Sequence, residues 1–285
     1  MTLPQASNPV LDKLFHLHTR LRETPFSATY RATHVAGHDA VVKLIYREDL
    51  FFDELARLYA MDESHFFCQC FYNYPPESVT GKPLPLNQAL TQIHAGSSDH
   101  DSAAVGILVL EAPEGVRLSE IYEQLDEIEV VNFLMEVTYA MRDLAAQGIG
   151  HGALLPQNVM VNHEDAEIKI VDLGYHSEHG NYETRLLSPE HKLADEPGPL
   201  EDITMFAANF LPLLKRQKLV RKLRRACMSP DPAARPNLDE ILSGLRQYRR
   251  QLHPKRTREI LFGFLRPANL ITWMVTIGLG IILLP

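Results

Sequence analysis

The sequence predicts an α+β protein with two lobes, followed by a helix that crosses a membrane. Strand patterns are concentrated before residue 112 and helical patterns dominate after it, as in a strand-rich lobe followed by a helical one. The last 18 residues, 268–285, carry no charged side chain. With 285 residues, 45% hydrophobic and 22% charged, the chain has an ordinary globular composition and is long enough for one large domain or two small ones.

The net charge and the cysteine content exclude several classes of protein. A net charge of −8 argues against a nucleic-acid binder of the basic type, so we expect no nucleic-acid partner. Three cysteines are too few for a disulfide framework and fit a reducing compartment. The pair Cys68 and Cys70, without further ligands nearby, is a weak zinc motif.

The C-terminal end predicts a single-pass membrane anchor. At about 1.5 Å per residue, the uncharged segment spans roughly 27 Å, which is close to the thickness of a hydrocarbon core. Seven basic residues and one acid lie between Arg246 and Arg266, just before this segment, and Trp273 suits the interface. We therefore expect the folded domain on the cytoplasmic side and no cleaved signal peptide at the N-terminus. The alternative is a helix docked on the domain, but this segment has no polar face to turn toward water.

The strand-rich part contains four predicted elements. Residues 26–33 and 40–45 are predicted as two strands around a turn at 35–39. Residues 53–61 are predicted as a helix, 94–104 as a loop and 107–111 as a buried strand.

The second part is predicted to be mostly helical. A short helix covers 118–125, and a long helix covers 128–147 with an apolar stripe and a stop at Gly148. Residues 159–161 and 167–171 are predicted as a hairpin, and the chain is predicted to be helical from 202 to about 250.

A motif after the long helix indicates the family. His151 and Asn158 are seven positions apart, and Asp172-Leu173-Gly174 begins fourteen positions after Asn158. This pattern resembles the protein-kinase catalytic loop H-R-D-x-x-x-x-N, followed by a hairpin and D-F-G.

Other segments resemble the motifs of that family in the family's order. They are Lys43 in a V-V-K strand, Glu54 in E-L-A-R-L, Leu110 at the gatekeeper place of a hinge that continues through Glu111 and Ala112, S-P-E at 188–190, Asp202 at the start of a helix, and D-P-A-A-R-P at 231–236. In the family, the arginine of the last motif pairs with the glutamate of the S-P-E equivalent, which implies a pair between Arg235 and Glu190. The resemblance covers about residues 21–245.

The resemblance implies a site for ATP and Mg²⁺ in a cleft between the lobes. Lys43 would contact the α- and β-phosphates and Glu54 would hold it in place, while Asn158 and Asp172 would bind Mg²⁺. Gly174 would permit the turn that aims Asp172 inward.

Each of these residues also has a reading that involves no nucleotide. Lys43 could be an ordinary strand lysine with an extended side chain, and Asp172 and Asn158 could be turn residues. Glu54 could be solvated, with Asp53 or Glu48 in its place.

The departures from the family pattern predict weak or absent phosphotransfer. Ala153 stands where the catalytic aspartate is expected and Leu155 where a lysine is expected, so no catalytic residue is assigned. Gly152 replaces an arginine, and Val41 replaces the alanine above the adenine. Residues 22–27 (R-E-T-P-F-S) replace the glycine-rich loop over the phosphates.

Together these features resemble a pseudokinase, a regulator or scaffold in signalling that retains the groups for nucleotide binding and acts on an unidentified protein partner. One alternative is an active Ser/Thr protein kinase with an unconventional base, for which His151, His176 and His179 are candidates. The other is a structural interaction module that binds no nucleotide, because Arg22, Phe26 or Val41 fills its pocket.

The expected domain organisation has four parts. Residues 1–20 form an N-terminal extension, 21–250 the kinase-like domain with lobes at about 21–111 and 112–250, 251–267 a basic juxtamembrane linker, and 268–285 the transmembrane helix. A second basic block at 215–225 predicts an amphipathic helix, whose charged face is either solvated or turned toward anionic lipid or an acidic partner.

Overall fold

The computed structural model describes residues 14–24, 27–74, 106–162, 165, 167–173 and 198–264. These residues form a strand-rich N-terminal sheet and a helical C-terminal region, which confirms the predicted α+β arrangement in two lobes. The cleft discussed below lies between the two.

The N-terminal lobe is built on an antiparallel sheet with the strand order β1-β2-β3-β5-β4. Its five described strands are β1 (Phe15–Glu23), β2 (Ser27–His34), β3 (Asp39–Ile45), β4 (Cys70–Tyr74) and β5 (Gly106–Glu111).

The hairpin of β2 and β3 confirms the two predicted strands around a turn. Gly37 has a φ of 88° at this turn, a left-handed conformation that glycine adopts without steric cost. β3 lies between β2 and β5, so it is a central strand. Its side chains alternate: Val42 and Leu44 enter an apolar cluster on one face, while Val41 and Lys43 point into the cleft.

Two edge strands were not predicted. β1 begins at Phe15, inside the segment expected as an extension at 1–20, so the sheet starts earlier than the predicted boundary at residue 21. Of its nine residues only Phe15 is buried, and an edge strand of this kind shows little alternation of apolar and polar residues. β4 is the strand at the opposite edge of the sheet, and it leaves Phe71 and Tyr72 exposed.

Helix α1 (Glu48–Ala60) packs against this sheet and begins five residues before its predicted start. Glu48 and Asp49 lie in its first turn, where acidic side chains interact favourably with the helix dipole. Phe51, Leu55 and Leu58 are buried at helical spacing on one face. Glu54 lies on that same face and is therefore carried inward.

The C-terminal lobe is organised around helix α3 (Glu127–Ala146), which confirms the predicted long helix. Asp126 caps it by accepting hydrogen bonds from Ile128 N and Glu129 N, both at 2.8 Å, and Glu129 accepts one from Asp126 N at 2.7 Å. Helix α2 (Leu118–Ile121) precedes it and is shorter than predicted.

A small antiparallel sheet lies beside these helices. It has the order β6-β7-β8 and consists of β6 (Val116–Arg117), β7 (Val159–Asn162) and β8 (Glu167–Ile170). β7 and β8 form the predicted hairpin, and a 3₁₀ turn, Pro156–Asn158, leads into it.

The predicted helical run from residue 202 is divided into three helices: α4 (Pro199–Asn209), α5 (Gln217–Cys227) and α6 (Leu238–Phe264). The 3₁₀ turns Leu211–Leu213 and Pro232–Ala234 separate them. Each break contains proline, which cannot donate the backbone hydrogen bond of a helix interior.

Two predicted segments, the loop at 94–104 and the membrane span at 268–285, lie outside the described residues. Among the residues that the structure does describe, no helix has both the length and the apolar character needed to cross a membrane.

Candidate functional site

A cleft of about 450 Å³ opens between the sheet and the helical lobe. Among the described residues, its walls combine apolar side chains from both lobes with nine charged ones. Apolar walls with polar groups that orient the ligand are found in small-molecule sites. The apolar wall includes Leu21, Val41, Leu110, Met160 and Ile170.

Lys43 and Glu54 form a buried ion pair at the inner end of this cleft. Lys43 Nζ lies 2.6 Å from Glu54 Oε1, and the two side chains are 9% and 5% exposed. The pair arises because β3 turns Lys43 toward the cleft while α1 presents Glu54 on its inner face. The competing carboxylate of Asp53 instead accepts from Arg57 Nε at 2.9 Å. The structure thus brings together the two residues that the sequence predicted to pair.

Asp172 is the third charged group of the site. Its Oδ1 lies 3.4 Å from Lys43 Nζ, and its Oδ2 accepts a hydrogen bond from Arg22 Nη1. Asp172 has a φ of 59°, in the left-handed region that few residues other than glycine adopt. The turn that aims Asp172 inward is therefore made at Asp172 itself, whereas Gly174, predicted to make it, lies outside the described residues.

The charges of these groups shift one another's pKa values. Burial would lower the pKa of Lys43, but the carboxylates of Glu54 and Asp172 outweigh it and raise that pKa above its usual range. Burial would likewise raise the pKa of Asp172, but Lys43 and Arg22 outweigh it and hold that pKa below its usual range. Lys43 and Asp172 are therefore both charged at neutral pH.

The predicted hinge also lines the cleft. Leu110, Glu111 and Ala112 all line it, next to Pro113. Pro113 has no backbone N–H to donate, so the backbone N–H of Ala112 is the nearest donor before it along this edge of the cleft. Glu111 also accepts a hydrogen bond from Lys169 Nζ at 3.0 Å, which ties the hinge to β8.

Asn158 lies next to the cleft but is not among the described residues that line it. Its side-chain amide donates to Ala153 O at 2.8 Å, and its backbone carbonyl accepts from Val171 N at 2.9 Å. Only the side-chain oxygen of Asn158 is left to face a cation. Asn158 thus fixes the loop around Ala153 and the strand that leads to Asp172.

Ala153 and His151 lie in the loop that the sequence resemblance aligns with a catalytic loop. Ala153 is 3% exposed and carries no ionisable group. His151 Nδ1 accepts from Ala153 N at 3.2 Å, so Nε2 carries the proton and donates to Val171 O at 3.1 Å. Burial lowers the pKa of His151 to about 4. With both ring nitrogens bonded and the ring fully buried, His151 does not have the environment of a general base. The other two candidate bases, His176 and His179, lie outside the described residues.

Asp202 fixes the same loop from helix α4. Its carboxylate accepts from His151 N at 2.6 Å and from Gly152 N at 3.0 Å. Burial raises the pKa of Asp202 to about 7, against the effect of these two donors. The sequence placed Asp202 at a helix start but gave no sign of these contacts, because its partners are about 50 positions away.

The sequence also missed two contacts of arginine. The sequence showed only that Arg22 replaces a glycine of the family pattern. Its contact with Asp172 depends on how the two lobes pack against each other. Arg57 donates to Gly150 O at 2.9 Å and so links α1 to the loop before His151.

Arg235, the arginine of the D-P-A-A-R-P motif, lies between the 3₁₀ turn Pro232–Ala234 and helix α6. Arg235 donates to Leu200 O at 3.0 Å and to Ser229 O at 3.1 Å. Its predicted partner, Glu190 in the segment 188–190, lies outside the described residues, as do Pro25 and Phe26 of the loop over the phosphates.

Comparison with known proteins relates part of the chain to a protein kinase. No protein-family model matches the chain. It is 34% identical over 92 residues to the death-associated protein kinase dapk-1 of Caenorhabditis elegans. These residues are 31% of this chain and 6% of that protein, so the chain spans only a small part of the relative's length. The similarity supports a kinase-like relation for part of the chain.

Proposed function

We propose that the chain is a membrane-tethered, kinase-like regulator that binds a nucleotide between its lobes and transfers phosphate poorly or not at all. The observation that carries this proposal is the position of Lys43, which bridges Glu54 and Asp172 at the end of an apolar cleft.

Nucleotide binding is supported by the size and the chemistry of the cleft. A volume of about 450 Å³ lies in the range of roughly 300–1,000 Å³ that is common for small-molecule sites. Its apolar wall suits a purine ring, and Lys43 supplies a fixed positive charge for the phosphates. ATP is the nucleotide that the resemblance favours.

The described residues do not fit the Mg²⁺ ion that usually accompanies ATP. Mg²⁺ beside a nucleotide is usually held by one or two protein carboxylates together with phosphate oxygens and waters. Both oxygens of Asp172 already contact the cationic side chains of Lys43 and Arg22, and Asn158 is not among the described residues that line the cleft. The proposed function therefore includes no step through Mg²⁺.

Weak transfer follows from the residues at the catalytic positions. Ala153 and Leu155 are both buried and neither accepts a proton nor offers a charge. Loss of a general base costs about 10²–10⁴ in rate, and loss of an electrostatic donor about 10²–10³. A nucleotide in this cleft would act by changing how the lobes close, and thereby which surface a protein partner meets.

The proposed membrane attachment is supported by the sequence and by helix α5. The uncharged segment 268–285 follows a basic flank, and α5 has no acidic residue. The exposed basic side chains on and beside α5 suit an anionic lipid surface: Lys215, Lys218, Arg221, Lys222 and Arg225.

The full chain should stay with membranes after a carbonate wash, and a variant without 268–285 should be released. Release of the full chain would contradict the anchor.

Two measurements on the full chain in detergent test the nucleotide site and the chemistry. The melting temperature should rise with ATP, and Lys43→Met should remove this shift. Incorporation of radiolabelled phosphate should not exceed that of Asp172→Ala. The absence of a shift in the wild type would reject nucleotide binding, and label that depends on Asp172 would favour an active kinase.

A second candidate function is favoured by one specific contact. Arg22 reaches Asp172 inside the cleft, as expected of a structural interaction module whose own side chains fill its pocket. If the chain has that function, the wild type should not bind ATP, and Arg22→Gln should not bind ATP either.

A further inference from the structure

Arg22 occupies the position at which a divalent cation would meet the site. Its guanidinium Nη1 donates to Asp172 Oδ2, while Lys43 approaches the other oxygen, Oδ1, at 3.4 Å. The Asp172 carboxylate thus lies between two cationic side chains. We propose that Arg22 replaces the metal ion, so that the cleft binds its nucleotide without Mg²⁺.

The backbone of β1 places Arg22 over the cleft. Arg22 pairs with Thr29 of β2, and the register shifts between Arg20 and Arg22. An irregularity of this kind re-aims a side chain. Arg20 instead pairs with Glu23 on the exposed surface, whereas Arg22 and Leu21 line the cleft.

The charges of the site are balanced without a metal. Burial raises the pKa of Glu54, although Lys43 opposes this effect. With both carboxylates ionised, Lys43, Glu54 and Asp172 together carry a net charge of −1, and Arg22 brings this to zero. A divalent cation at Asp172 would have to sit beside two existing positive charges, which repel it. The balance of charge therefore favours Arg22 at this position over a metal ion.

A guanidinium is suited to the role that a metal would have toward phosphate. It stays charged at all physiological pH values and carries five N–H donors in a planar fork, so one group can contact a carboxylate and a phosphate together. The side chain of Arg22 is 26% exposed and faces the cleft. A ligand with two or three phosphates would then lie between Arg22 and Lys43.

This inference rests on the proposed nucleotide site, and a calorimetric titration of the full chain with ATP separates the two. The wild type should bind ATP with the same dissociation constant, within about a factor of two, in excess MgCl₂ and in excess EDTA. In EDTA, Arg22→Gln should weaken binding about tenfold or more, because a charged hydrogen-bond donor is lost. Mg²⁺ should restore part of that loss by entering the vacated position. Arg20→Gln, on the same strand, should bind as the wild type does.

Three results would overturn the inference. If wild-type ATP binding falls about tenfold or more in EDTA, the metal is needed and only the proposed function remains. If the wild type binds no ATP in either condition, the proposed function fails as well. If Arg22→Gln binds ATP more tightly than the wild type in EDTA, Arg22 blocks the site instead of serving it.

Discussion

Asp202 Oδ2 lies 2.6 Å from His151 N, and the same carboxylate accepts a second bond from Gly152 N, so one side chain of α4 fixes the backbone of the loop at His151 and Gly152. Asp202→Ala would leave two buried N–H groups without an acceptor. We expect it to lower the free energy of unfolding by about 3 kcal/mol, measured by urea denaturation. Asp202→Asn keeps one oxygen and should lose less. Equal stability of the wild type and Asp202→Ala would show that this contact does not hold the loop.

The Lys43–Glu54 pair predicts a second loss of stability. Glu54→Gln would leave the buried ammonium of Lys43 with Asp172 alone, so we expect a loss of about 3 kcal/mol and weaker ATP binding. Urea denaturation and ATP titration measure the two effects. Asp53→Asn, one position away, is the control because its partly exposed carboxylate pairs with Arg57 instead of Lys43. A Glu54→Gln protein that behaved like this control would contradict the assigned pairing.

His151 predicts a dependence of stability on pH. Its pKa is about 4 in the folded protein and about 6.5 when unfolded, so below pH 6.5 the unfolded chain binds a proton that the folded chain does not. The contribution of His151 is therefore present above pH 6.5 and lost as pH falls to 4, by about 3 kcal/mol.

The stability difference between the wild type and His151→Gln isolates this effect. Asp202, with its pKa raised to about 7, has the opposite dependence over the same window but is present in both proteins. Urea denaturation at several pH values should show the wild type losing about 3 kcal/mol relative to His151→Gln between pH 6.5 and 4. A constant difference would mean that His151 is not buried in its neutral form.

The close packing around Gly115, at the edge of the cleft, predicts that an added methyl group there lowers stability. It has a φ of 101°, and a Cβ there would lie 2.1 Å from Val161 O. Gly37 has a similar φ of 88°, but nothing lies within 4 Å of such a Cβ. Gly115→Ala should lower the melting temperature well below that of Gly37→Ala, with a difference in unfolding free energy of about 2 kcal/mol. Equal effects would mean that β7 does not approach the glycine.

The parts of the fold that depend on local pattern could be predicted from the sequence. The turn at 35–39 between two apolar strands indicated that hairpin, and the apolar stripe of α3 with its stop at Gly148 indicated that helix. The edge strands β1 and β4 were missed because most of their side chains face solvent, which removes the alternation that marks a strand.

For the candidate site as well, some features could be predicted from the sequence and others could not. The residue types at Lys43, Glu54 and Asp172 could be recognised from their order along the chain, and the structure brings these three together. The contact between Arg22 and Asp172 joins positions 150 apart, so it depends on how the two lobes pack. The predicted roles of these residues toward a nucleotide remain proposals.

Direct binding of ATP tests the central claim, that the cleft holds a nucleotide through Lys43. The measurement is a calorimetric titration of the full chain, of Lys43→Met and of Lys222→Met, which makes the same substitution at an exposed lysine of α5 that does not line the cleft. We predict saturable binding to the wild type and to Lys222→Met and its loss in a folded Lys43→Met. Equal binding to all three proteins, or no binding to any, would contradict the account.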